Sequence, residues 1–75
     1  MTKYANLHGD SGVDEYLITD TSIKIKFIKS NKVYVYNNIK PGPDHVATMK
    51  SLAIAGEGLA TYISQNIKKN YFSVE

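Results

Sequence analysis

The sequence predicts a small α+β fold, a three-stranded antiparallel sheet followed by a helical hairpin packed on one face (β-β-β-α-α). Three observations carry that prediction. Strict alternation of apolar and other residues runs through SIKIKF and resumes in VYVY after a short polar turn. Two prolines in IKPGPDH then end the alternation, because neither can donate to a sheet ladder. From there apolar residues recur at helical spacing as far as Tyr71, interrupted once by the glycines of AGEGL.

Residues 1–12 show no period and hold Gly9 and Gly12, so they read as a flexible amino-terminal arm. Residues 13–75 form a single α+β domain. The first strand is EYLITD, with Tyr16 and Ile18 on one side. In the second, Ile23, Ile25 and Phe27 share a face, opposite Lys24, Lys26 and Ile28. KVYVYNN is the third, and its facing depends on the turn Lys29-Ser30-Asn31-Lys32. A three-residue loop with Asn31 left-handed is cheaper than a two-residue turn that needs positive φ at Ser30. That loop pairs Lys26 with Tyr34 and Lys24 with Tyr36, leaving both tyrosines outward among the lysines. A slip of one residue would exchange every position.

DHVATMKSLAIA follows as a helix with Val46, Met49 and Leu52 or Ala53 on its apolar face and Asp44 as a candidate cap. Gly56 supplies a left-handed end. In LATYISQNIKKNYF the stripe Leu59, Tyr62, Ile63, Ile67, Tyr71 faces inward, and Lys68 and Lys69 suit a helix carboxyl end.

Seventy-five residues without cysteine leave no disulfide or thiolate chemistry, and the small core must work unaided. No stretch approaches a membrane span, and MTKYANLHGDSG lacks the apolar core of a secretory signal, so a soluble cytoplasmic protein with no membrane partner is expected. Charge is uneven. Residues 1–20 carry Lys3 against four acids, whereas residues 21–50 carry six lysines against Asp44 alone. The middle third is therefore the candidate surface for an anionic partner, although the chain has no arginine to grip phosphate bidentately.

The short motifs point to structure rather than chemistry. GDSG at 9–12 matches the tetrapeptide around a protease nucleophile, but His8 lies too close in sequence to serve Ser11 as its base. His8, Asp10, Asp14, Asp44 and His45 lack metal-site spacing. Glu57, between two glycines, reads as a helix-end carboxylate, and GEG lacks the lysine of a phosphate loop. No catalytic residue, metal or cofactor is assigned. The strongest candidate is the face of Lys24, Lys26, Lys29, Lys32, Tyr34 and Tyr36, which joins charge that attracts phosphate to rings on which bases stack.

The order of elements, with IKIKFIKSNKVYVYNNIKPG leading into a helix and YISQNIKKNY closing the chain, resembles the KTSC domain family. Phe27, Tyr34, Tyr36, Pro41, Ile67 and Tyr71 carry the resemblance, over about residues 13–71. That family comprises short strand-then-helix modules, found alone or fused to larger proteins including a lysyl-tRNA synthetase. Its lysine-threonine-serine-cysteine signature is absent, and only Gly56, Gly58 and Ala60 stand for its small-residue turn. The resemblance implies association with nucleic acid. The expected function is thus a non-enzymatic binding module for a macromolecule: nucleic acid through the lysine-tyrosine face, or protein through the same face or an open sheet edge, with a small enzyme as the last-ranked alternative because no catalytic constellation is visible.

Overall fold

The computed structural model describes residues 1–75. Its strands are β1 (Thr2–Lys3), β2 (Val13–Ile18), β3 (Ser22–Phe27), β4 (Val33–Asn37) and β5 (Ser73–Val74). Between β4 and β5 lie α1 (Pro43–Ala55) and α2 (Leu59–Tyr62), the latter continuing as a π-helical turn, Ile63–Ile67. The sheet is five-stranded, in the order β1-β2-β3-β4-β5, and every neighbouring pair is antiparallel.

This corrects the three-stranded sheet and regular helical hairpin expected from the sequence. Both ends of the described chain return to the sheet, satisfying donors and acceptors that β2 and β4 would otherwise expose. Two-residue strands carry no period, which is why alternation did not reveal them. Residues 1–12, expected as a flexible arm, supply a strand and a core residue. Thr2 and Lys3 pair with Tyr16 and Glu15. Tyr4 is buried in the core, where its hydroxyl accepts a hydrogen bond from the Leu59 amide at 3.3 Å.

One core holds the molecule together. Ile23 and Ile25 of β3, Tyr36 of β4 and Val13 of β2 meet Val46, Met49 and Ala53 of α1 and Leu59, Ile63 and Ile67 beyond it. Pro43 is the first residue of α1 and Gly42 caps it, so Asp44 sits inside the first turn rather than capping it. Gly56 ends the helix in the left-handed region (φ 78°). A side chain there would meet the Ala5 Cβ at 2.6 Å, so glycine lets the amino-terminal segment pass close against the helix end.

The β3–β4 register is one residue away from the expected one. Ile23 pairs with Tyr36 and Ile25 with Tyr34, while Lys24 faces Val35 and Lys26 faces Val33. Tyr34 and Tyr36 therefore point to the helices and not to the lysines. Lys29, not Asn31, takes the left-handed conformation at the tip (φ 66°). A left-handed lysine costs about 1–2 kcal/mol. A tyrosine ring buries roughly 150–250 Å², worth about 4–6 kcal/mol when fully covered and more than a valine in its place. Ring burial outweighs turn preference, and the register follows the rings.

Candidate binding cleft

The six residues expected to form one binding face are divided by this register. Lys24 and Lys26 lie on the outer face of the sheet, and both are already paired. Lys26 Nζ is 3.0 Å from Asp14 Oδ2, and Lys24 Nζ is 3.2 Å from Glu75 Oε2. The bulge in β2 beside Asp14 lets that carboxylate take Lys3 as well, at 2.7 Å. Hydrogen bonds from Lys3 and Lys26 hold the Asp14 carboxyl below the usual aspartate range, and the same contact raises Lys3. An outer face whose lysines are matched by acids attracts a polyanion weakly. Lys29 and Lys32 stay exposed at the hairpin tip.

On the other side of the sheet, Tyr34 and Tyr36 contribute to a cleft of about 370 Å³ lined by Phe27, Ser30, Tyr34, Tyr36, Ile63, Lys68, Lys69 and Tyr71. Alternation in β3 and β4 puts Phe27 and both tyrosines on this side. The π-helical turn brings in the rest. It stops at Lys68 (φ 55°, ψ −117°), a backbone conformation that lysine rarely adopts. The chain there reverses and lays Tyr71 against the sheet instead of on a helix stripe. Edge-to-face contacts link the rings: Phe27 to Tyr34 at 5.5 Å, Tyr34 to Tyr71 at 5.0 Å and Tyr36 to Tyr71 at 6.3 Å.

Tyr36 is buried, and burial, reinforced by Tyr34 and Tyr71, pushes its phenol up to about 12. Phe27, Tyr34 and Tyr71 are only half-buried and open to the cleft. No acid lines the cleft. Lys29, Lys32, Lys68 and Lys69 belong to its rim or to the hairpin tip that holds Ser30, and none of the four is in an ion pair. Helical spacing alone places Lys68 and Lys69 at a solvated helix end and Tyr71 at a core position. The signal for them was the KKNY cluster itself, which pairs charge with a ring next to a chain reversal.

A second groove, of about 490 Å³, collects the motifs near the chain start and the glycine turn. Asp10 and Ser11 of GDSG line it together with His8, Glu57 and Tyr62. The Leu7 amide donates to the Gly56 carbonyl at 2.8 Å and ties the two loops together. Ser11 Oγ accepts from the Val13 amide at 3.1 Å, a turn contact that starts β2 rather than a nucleophile's setting. His8 Nε2 lies 3.7 Å from Glu57 Oε1, with both side chains largely exposed. His45 instead meets the Tyr62 hydroxyl at 2.7 Å. No three histidine, cysteine or acidic side chains come close enough to hold a metal ion.

No helix is long and apolar enough to cross a membrane. Compared with family models, with curated proteins and with solved structures, the chain matches none. The candidate site therefore rests on its own geometry.

Proposed function

We propose that this chain is a small non-enzymatic binding module that holds nucleic acid at the aromatic cleft between the β3–β4 hairpin and the Lys68–Tyr71 reversal. One observation carries the reading: half-buried aromatic rings open beside lysines with no ion partner, in a cleft that no acid lines. Lysines supply sequence-independent attraction to phosphate, and rings supply stacking surface. The outer face has lysines without aromatic neighbours and with their charge already answered, so it ranks second.

The test is an NMR shift-mapping titration with a short oligonucleotide at two salt concentrations. Shifts are expected at Ser30, Tyr34 and residues 68–71. With at most four phosphate contacts, single-strand affinity should fall by up to about 50-fold between 50 and 200 mM salt. Changing Lys29, Lys32, Lys68 and Lys69 together to glutamine should abolish retention, whereas Lys24→Gln with Lys26→Gln should leave it nearly unchanged. Equal loss from both sets, or none from either, would refute the assignment.

A protein partner adding a strand to β5 is the second reading. In its favour, β5 ends the strand order with one edge unpaired, and Phe72 and Val74 beside that edge are exposed. Such pairing should scarcely respond to salt.

A further inference from the structure

Resting on the nucleic-acid reading, we infer that the cleft takes a single unpaired base, so that the module selects single strands over duplex. The rings do not form a flat platform. Phe27 and Tyr34 meet at an interplanar angle of 74°, as do Tyr34 and Tyr71, and Tyr36 and Tyr71 meet at 88°. Neighbouring rings set nearly perpendicular share no plane, and with Tyr36 buried the rings left to meet a guest are Phe27, Tyr34 and Tyr71. A planar base entering the cleft stacks on the exposed face of one of them and presents its edge to the face of the next. A flat sheet could spread several bases side by side, whereas rings turned 74° from one another offer stacking to one base at a time.

The charges fit the same pose. The hairpin tip, with Lys29 and Lys32 around the lining residue Ser30, forms one side of the cleft, and Lys68 and Lys69 form another. A base inserted between them leaves the phosphates before and after it facing lysines on both sides. A quaternary ammonium, the other guest of aromatic pockets, is disfavoured because both lining charges are positive. Bases in a duplex are stacked and paired, so a duplex reaches the lysines and not the rings. It keeps the salt-dependent attraction and forgoes the stacking.

The experiment compares three dye-labelled probes by fluorescence anisotropy on the full chain at one salt concentration: a ten-residue oligothymidylate, its duplex with oligoadenylate, and the same single strand built from abasic residues. The intact single strand should bind about 5- to 150-fold more tightly than the abasic one, the range expected for one stacked base, and more tightly than the duplex. Tyr71→Leu should bring the intact strand towards the abasic value and leave the abasic value alone. Equal binding of all three probes would overturn the single-base inference while leaving the nucleic-acid reading in place. Binding of none would overturn both. Because the abasic comparison uses the unaltered protein, a Tyr71→Leu chain that failed to fold would not rescue the inference.

Discussion

The buried phenol of Tyr36 makes the register measurable in solution. Its side chain is only 1% exposed, and its ionisation is displaced from 10.0 to about 12. A tyrosine is neutral when protonated, so a raised value means that the folded chain holds this proton more tightly than the unfolded chain does. Below pH 10 both states keep it and stability is unaffected. Between pH 10 and about 12 the unfolded state releases it first, and stability falls as pH rises. At about 1.4 kcal/mol per pH unit, the full interval costs roughly 3 kcal/mol, an upper bound for a ring that lines a cleft. Tyr36→Phe keeps the ring and removes the proton. Urea unfolding followed by circular dichroism at about pH 9, 10, 11 and 12 isolates the effect, because the other five tyrosines and the lysines titrate in both proteins. The variant should match the parent within about 1 kcal/mol at neutral pH and become the more stable of the two by about 1–3 kcal/mol at the alkaline end. Parallel curves across the range would mean that Tyr36 is not sealed beneath the helices, and the one-residue register shift would fall with it.

Three further outcomes follow from the same geometry. Gly56→Ala should destabilise the chain by about 2–4 kcal/mol in urea titrations, since it forces alanine to positive φ and drives its Cβ into Ala5. For Asp14, a lowered carboxyl contributes stability that is present above the ordinary value of 3.8 and lost as pH falls through its lower folded value. Asp14→Asn should therefore lower stability above about pH 4, where that contribution is present, and flatten the acid limb of the stability–pH profile below it. Lys68→Gly should raise stability by about 0.5–2 kcal/mol by relieving the backbone at φ 55°, and should lower the salt slope of oligonucleotide binding by about 0.7.

Much of the core was legible because its pattern admitted one period. Ile23 and Ile25 alternate with lysines, and Val46, Met49 and Ala53 recur every three or four residues, so only one face of each element can be buried. The third strand offered no such contrast. In VYVY both faces are apolar, so alternation fits either register, and local turn chemistry favoured the one that the fold rejects. The comparison that decides it, ring area against one strained turn residue, involves helices distant in sequence. The candidate cleft was hidden for the same reason. Its residues come from segments about forty positions apart, and its two lysines sat in what read as a continuous helix.

The break in that helix connects the fold to the proposed site. Had the helical period of residues 59–71 run on unbroken, Tyr71 would have stayed on a helix stripe and the chain could not have returned to β4. The left-handed step at Lys68 instead lets the Phe72 amide reach the Val35 carbonyl at 2.7 Å. Val33 and Glu75 then exchange hydrogen bonds of 3.1 and 2.7 Å. Each such bond contributes about 0.5–1.5 kcal/mol, so three of them offset the roughly 1–3 kcal/mol stored at one strained residue. The reversal that closes the sheet edge is also the one that opens the cleft: it carries Tyr71 onto Tyr34 and leaves Lys68 and Lys69 at the rim. Strain at Lys68 is thus tolerated because the sheet gains more than the turn loses, and a lysine held there costs the fold more than a glycine would. A residue that is worse for the fold than its simplest substitute, placed on the wall of a cationic aromatic cleft, is what a binding role at that position would produce.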